Sequence, residues 1–294
     1  MRITVFTPTY NRGYIIKNLY KSLQKQSFND FEWVVVDDGS TDNTEELFSV
    51  FQKENNTFPI TYLKVENGGK HRAINKGVEL AKGELFFIVD SDDYLTDDSL
   101  TIIDSIEKSI PEKEKQFFAG VCGLRGYDNN KFIGKTFDGD ILDITTLQRT
   151  QYNVLGDKSE VFYTKILKKY PFPEFKDENF ITECVVWDKI AYDGYKLRFF
   201  NKINYICDYL PDGLSAHSNE LFKKNPKGCG LYIYQSGKYG KLYGLKKWQE
   251  YSKYYHFFRN KLTLSEIAKN LHINPIILFL RITGMKIYYK LYDV

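Results

Sequence analysis

The chain is poor in sulfur and lacks the short motifs by which several common chemistries are recognised. Its 294 residues include four cysteines and two methionines. Cys122, Cys184, Cys207 and Cys229 lie far apart with no CxxC pair, which argues against a zinc site or a dense disulfide framework and leaves reduced thiols as the expectation. No GxGxxG follows the first apolar run, so a nicotinamide enzyme is disfavoured. No RRM, KH or helix-turn-helix pattern is present, and nucleic acid is not an expected partner. Long apolar runs are missing too. The late stretch 273–280 stops at Arg281, short of the roughly 20 residues that span a bilayer, and the run at 3–6 is too short for the core of a secretion signal. A cytoplasmic protein is therefore expected.

What is present is an ordinary globular composition with a hidden asymmetry. Hydrophobic residues make up 43% and charged residues 27%, which excludes global disorder. The net charge of +3 divides unevenly: residues 216–294 hold 14 basic and 4 acidic side chains (+10), and the rest hold 27 and 34 (−7). A mildly acidic body is joined to a basic, Tyr-rich tail.

Apolar runs at 3–6, 31–36, 60–65 and 85–89 alternate with helix-like segments at 13–24, 43–52 and 70–81, the second with Thr41 or Asn43 as its N-cap. Continuous apolar strands between helices predict an α/β fold with a parallel sheet covered on both faces. Further strands are expected at 117–122 and 196–200, and helices at 182–191, 264–271 and 275–289. The polar stretch 219–230 is the expected boundary.

In open parallel sheets, ligands bind beyond the carboxyl ends of the strands. Three such ends carry polar clusters: Thr7-Pro8-Thr9-Tyr10-Asn11-Arg12, Asp37-Asp38-Gly39-Ser40-Thr41-Asp42 and Asp90-Ser91-Asp92-Asp93. Crowded carboxylates at a buried strand end repel one another unless a cation neutralises them. Hard divalent ions take oxygen ligands and share them with substrate phosphates, so Asp-x-Asp at a strand exit points to a metal holding a diphosphate. A solvated turn capped by aspartates has the same sequence, and for an isolated Asp-x-Asp it is the commoner explanation. Asp38 fits an Asx turn, with Gly39 in a left-handed position, or an acceptor for a nucleobase or ribose. Tyr10 fits stacking on a base or plain packing. Gly68-Gly69-Lys70-His71-Arg72 offers backbone donors and cations that suit phosphate, or is a simple helix-entry loop.

These runs, with Asn67-Gly68-Gly69, Arg72, Asn75, Gly77 and Ala81-Lys82-Gly83-Glu84 in the same order, resemble the family 2 glycosyltransferases of GT-A fold over residues 1–100. The resemblance implies a Rossmann-like, mostly parallel sheet flanked by helices. It implies a catalytic domain at 1–218, with 1–100 binding the nucleotide sugar and 101–218 the acceptor, and a helical extension at 219–294. It further implies a nucleotide-diphosphate sugar donor carried by UDP, held by Pro8, Tyr10, Asn11, Arg12, Asp38, Gly69, Lys70, Arg72, Asp90 and Ser91. Asp38 would face the base, Asp90 the ribose or metal, and Asp92 would be the main ligand of Mn²⁺ or Mg²⁺. Members of the family invert the anomeric centre, which requires a general base and an electrophile on the leaving phosphate. The base is usually the Asp of a Glu-Asp pair at a helix start, and here that position holds Cys184. A thiol is a poor base for a sugar hydroxyl unless its pKa is perturbed. Glu183 is the candidate instead, with Asp177 and Glu178 as neighbours; a charge serving the helix dipole is the competing explanation. Trp187 is expected in the core.

The run Tyr-Leu-Pro-Asp-Gly-Leu-Ser at 209–215 is similar to bacterial members that build capsule and other surface polysaccharides, implying a glycan or polyprenyl-linked acceptor. The Lys and Tyr alternation of the tail suits the inner face of an anionic membrane, or equally a solvated helical face or dimer contact. Two other readings stay open: a nucleotide- or carbohydrate-binding protein that has lost catalysis, motivated by Cys184, and a sugar nucleotidyltransferase. The latter expects a Gly-rich basic loop after the first strand, which Thr7-Pro8-Thr9-Tyr10-Asn11 does not supply.

Overall fold

A computed structural model of the chain describes residues 1–208, 210 and 218–292, with the backbone alone at 218 and 286–292. Apart from Leu210, the run 209–215 lies outside the described residues. Met1–Phe172 and Ile190–Ala216 form one compact unit, Pro173–Lys189 and His217–Val294 a second. A division at 218/219 differs by leaving 173–189 with the first part. That segment is acidic, so the second unit holds 16 basic and 9 acidic residues (+7) and the first 25 and 29 (−4).

In the first unit, β1 (Ile3–Thr9), α1 (Lys17–Gln24), β2 (Phe31–Asp37), α2 (Thr44–Phe51), β3 (Ile60–Lys64), α3 (Lys70–Leu80) and β4 (Leu85–Ile88) follow the expected alternation. The apolar spacing at 13–24 overreaches helix α1: residues 13–16 form a turn, in which the N–H groups of Ile15 and Ile16 both bond the Arg12 carbonyl at 3.0 Å, and the helix begins at Lys17. Asn43 stands at the N-cap of α2 without a side-chain bond; Asp42 does the capping, its Oδ1 accepting from Thr44 N at 3.1 Å. Beyond these lie β5 (Tyr94–Leu95), α4 (Ser99–Lys108), β6 (Phe118–Gly126), β7 (Ile141–Ile144), β8 (Lys158–Tyr163), α5 (Thr164–Lys169) and β9 (Lys196–Ile206), while α6 (Cys184–Tyr192) has residues 184–189 in the second unit. The strands order as β3-β2-β1-β4-β8-β6-β9-β5, with β7 on β9. Neighbours are parallel from β3 through β4, β8 runs against β4 and β6, and β6 and β9 are parallel.

Strands β1, β2 and β4 are buried along their length, which is why they read as unbroken apolar runs. Helix α3 reaches β1 through Gly77, where a Cβ would come within 2.1 Å of the Phe6 ring. Trp33 packs on the other face against Phe48, ring centres 5.1 Å apart. Register places Thr9 opposite Asp37 and Phe6 opposite Ile88, so the carboxyl ends of β1, β2 and β4 share one edge.

The opposite edge carries a charged knot. Arg2 bonds Asp104 at 2.8 Å and reaches Glu84 and Glu107. Glu107, fully buried, also accepts from Tyr163 Oη at 2.6 Å and pairs with Lys115 at 3.0 Å. Burial alone would push Glu107 up, but these bonds outweigh it and hold the carboxyl below the usual range. Asp104 is held down in the same way, by Lys108 and Arg2.

The second unit adds α7 (Ser218–Lys224), α8 (Pro226–Lys238), α9 (Gly244–Phe258), α10 (Leu264–Asn270) and α11 (Pro275–Tyr292). The polar stretch 219–230 is therefore mostly helix. Pro226 sits at the start of α8, where its missing N–H costs nothing. Tyr251, Tyr254, Phe258, Ile267, Leu271, Leu278 and Ile282 form this unit's core. Two tyrosines of the Lys- and Tyr-rich tail, Tyr251 and Tyr254, are thus interior; Tyr254 satisfies its hydroxyl on the Pro226 carbonyl at 2.7 Å.

Candidate functional site

The three polar clusters do meet at the carboxyl edge. Asp38 follows β2 and is buried, its N–H bonded to the Thr9 carbonyl at 2.8 Å. Its carboxylate accepts the N–H groups of Gly68 and Gly69 at 2.7 and 2.8 Å. Gly69 has φ 97°, a left-handed conformation that glycine adopts without strain. Those two N–H groups are therefore given to Asp38 and do not form an open anion cradle, which revises the phosphate reading of this loop. Burial raises the Asp38 pKa against the pull of the two N–H bonds. Arg72 braces the same loop through the Gly68 carbonyl.

Asn11, at φ 53°, ties the β1 loop to the β2 loop: its N–H donates to Ser40 Oγ and its Oδ1 accepts from Thr41 N, both at 2.8 Å. Asp37, fully buried, accepts from Ser40 N at 2.8 Å and from Tyr62 Oη. Pro8 is buried in β1 opposite Val36, and Tyr10 is 49% exposed at the rim.

The third cluster follows β4. Asp90 pairs with Lys70, the first residue of α3, at 2.5 Å and with Arg125 at 3.5 Å. Arg12 comes within 3.8 Å of Asp92. Ser91 and Asp93 are buried. Asp93 accepts from Tyr205 Oη at 2.7 Å and from Asp208 N at 3.0 Å. The carboxylates do not share their cations equally. Burial would raise Asp90, but Lys70 and Arg125 outweigh it and lower its pKa. Asp92 is raised by burial and by the charge of Asp90, and Asp93, for the same two reasons, is pushed up to about 7. For Asp92 and Asp93, burial and the charge of Asp90 thus outweigh the cations beside them.

Arg125 and Tyr205 went unread in the sequence. Arg125, near the end of β6, lies 4.2 Å above the Tyr205 ring, donates to the Lys158 carbonyl at 2.8 Å and faces both Asp90 and Asp93. The available signal was a lone Arg in the apolar run Val121-Cys122-Gly123-Leu124-Arg125; Gly123 ended the expected strand at 122. It is required because a Cβ there would come within 2.2 Å of Asn204 Oδ1.

Glu183 belongs to the second unit. Its carbonyl accepts the N–H groups of Val186 and Trp187, both at 3.0 Å, so it stands directly before α6. Cys184 beside it is half-buried, and burial together with Asp188 pushes its thiol up. Glu178 accepts the N–H groups of Lys227 and Gly228 at 2.7 and 2.8 Å and so serves the start of α8. Trp187 is in the core as expected.

A family model described as glycosyl transferase family 2 matches residues 4–159, more than half of the chain. The chain belongs to glycosyl transferase family 2. Among its relatives, this family member is 35% identical over 185 residues to glycosyltransferase GlyG of Streptococcus pneumoniae, an alignment covering 60% of each chain. It is 27% identical over 195 residues to the GalNAc(5)-diNAcBac-PP-undecaprenol beta-1,3-glucosyltransferase of Campylobacter jejuni, covering 63% of this chain and 58% of that one. The chain thus spans about three fifths of the length of these relatives. The structure of Staphylococcus aureus TarS 1–349 in complex with UDP-GlcNAc superposes with a TM-score of 0.60 at 22% identity, covering 89% of this chain and 73% of that one. The fold is GT-A.

The described residues contain no group of three or more His, Cys, Asp or Glu placed to hold a metal by itself. Asp90 and Asp92 nevertheless fit shared ligation. They are oxygen donors at one strand exit, and the upward shift of Asp92, from burial and then from the charge of Asp90, is one that a hard cation relieves.

Proposed function

We propose that this chain transfers a sugar from a UDP-linked donor to a glycan or polyprenyl-linked acceptor in surface polysaccharide synthesis, with inversion at the anomeric carbon. One observation carries the reading: the Asp38 loop, the Asn11 loop and the Asp90–Asp92 cluster converge on one strand edge with Lys70, Arg12 and Arg125 around the acids. Asp38 accepts from the nucleobase, and Tyr10 at the rim lies against it. Pro8, Asn11, Gly69 and Arg72 shape the two loops that receive the nucleoside. Asp90 and Ser91 face the ribose, and Lys70 and Arg12 face the diphosphate. Asp92, with Asp90 beside it, holds Mn²⁺ or Mg²⁺, which supplies charge neutralisation on the leaving diphosphate.

Inversion needs a base on the acceptor side. Glu183 takes that role, withdrawing the proton from the attacking hydroxyl. Cys184 keeps its proton because burial disfavours the thiolate, and Glu178 is engaged by α8. The Campylobacter relative, a GalNAc(5)-diNAcBac-PP-undecaprenol glucosyltransferase, supports an undecaprenyl diphosphate-linked acceptor, and the basic second unit suits work at the cytoplasmic face of the plasma membrane.

The test is Glu183→Gln. UDP–Mn²⁺ binding should persist while transfer falls by roughly 10²–10⁴-fold; full transfer would remove the base role from Glu183. Cys184 favours a second reading, a donor-binding protein without transfer, and any sugar transfer by the wild type excludes it.

A further inference from the structure

Helix α11 is apolar on two opposite faces, and one of them is uncovered. Leu278, Ile282 and Met285 recur at helical spacing and are 0%, 5% and 7% exposed, closing the core of the second unit. At 3.6 residues per turn, Ile276 and Leu280 fall on the opposite side, with Ile277 and Phe279 on its two flanks. They are 68%, 49%, 53% and 63% exposed. A helix that is apolar all round is ordinarily buried all round, and a contiguous patch of large apolar side chains marks a surface that meets something.

We propose that this face of α11 seats the chain on an anionic lipid bilayer. The inference deepens the membrane part of the reading above and rests on it. Charge decides the occupant. Helix α11 carries Arg281, Lys286 and Lys290 and no acidic residue, within a unit of net charge +7. A two-fold contact with a second copy would set Arg281 and the positive charge of the unit against themselves, whereas an anionic headgroup layer attracts them. Arg281 is exposed beside the apolar face, its guanidinium 5.0 Å from the centre of the Trp248 ring. Apolar side chains below and cations at the flank are the arrangement of a helix that lies in a membrane interface. It lies on the bilayer and does not cross it: no described helix is long and apolar enough to span.

The test is sedimentation of the full chain with vesicles of phosphatidylglycerol and phosphatidylcholine, and with phosphatidylcholine alone. The wild type should bind the anionic vesicles and lose that binding as salt rises. The double variant Ile276→Glu with Leu280→Glu alters exposed positions only. It should bind about a hundredfold more weakly, roughly tenfold per apolar side chain withdrawn from the interface, with helical circular dichroism and UDP–Mn²⁺ binding unchanged. Undiminished binding by the double variant, or no binding by the wild type, overturns the proposal. A wild-type dimer in sedimentation velocity that the double variant dissolves, with vesicle binding unaltered, also overturns it by assigning the face to a second copy. UDP–Mn²⁺ titration of the same samples separates the outcomes: intact nucleotide binding with failed vesicle binding removes the membrane inference and leaves the transferase reading standing.

Discussion

At the amino ends of the strands, Glu107 and Asp104 are met by Arg2, Lys115, Lys108 and a tyrosine hydroxyl, and both carboxyls are held below their usual range. At the carboxyl ends of the same sheet, Asp92 and Asp93 are pushed up by burial and by Asp90. Both clusters are acidic, partly buried and supplied with arginine. They differ in the outcome: below, the bonds outweigh burial for both acids; above, burial and the charge of Asp90 outweigh the partners of Asp92 and Asp93, a cost that a hard cation shared with a diphosphate would relieve.

The comparison can be broken from either side. The largest effect is expected below. Glu107→Ala leaves Arg2 and Lys115 without their buried partner and should cost roughly 3–5 kcal/mol of stability in urea unfolding, with UDP–Mn²⁺ affinity unchanged in the protein that remains folded. Above, Asp92→Ala should lower transfer by roughly 10²–10³-fold while the thermal midpoint holds or rises, because a carboxylate already disfavoured by burial has gone. A midpoint that drops as far as in Glu107→Ala would make the two clusters alike. Next comes Arg125→Lys, which keeps the charge and loses the planar stack on Tyr205. The shorter lysine loses the guanidinium's bond to the Lys158 carbonyl and its 3.5 Å pairing with Asp90, and a roughly tenfold fall in kcat is expected.

The smallest effect is in pH, and its sign differs between the edges. Glu107 has a depressed pKa, so its contribution is present above about pH 4.5 and is lost as pH falls through the lower folded value. Asp93 has a raised one. Without divalent ions, its contribution is present below the ordinary aspartate value of 3.8 and is lost as pH rises toward about 7. Asp93→Asn should flatten the upper limb of a stability–pH curve taken in chelator and leave the acid limb alone. An unchanged upper limb would show that Asp93 titrates normally.

Much of the parallel half was legible because its strands are buried on both faces, and burial on both faces writes itself as unbroken apolar runs. Val34-Val35-Val36 and Leu85-Phe86-Phe87 needed no tertiary knowledge. The strands β5, β7 and β8 did not show, since each owes its conformation to a partner: Tyr94 and Leu95 are strand by pairing with Ile206 and Tyr205. The acids at the strand exits were readable as a set, but the cations that sort them were not. Arg125 comes from β6, far along the sequence, and only the sheet order sets it against Asp90. Likewise, that Gly68 and Gly69 serve Asp38 follows from the meeting of two loops, which no local pattern states.

The central claim is that the upper cluster is incomplete without a metal and a nucleotide diphosphate. Calorimetric titration of UDP into the wild type, with Mn²⁺ and with chelator, tests it most directly. The account predicts binding with Mn²⁺, little without it, loss of the Mn²⁺ dependence in Asp92→Asn, and an unchanged isotherm for a lower-edge variant such as Asp104→Asn. UDP binding of equal strength in chelator, or in Asp92→Asn with Mn²⁺, would contradict it.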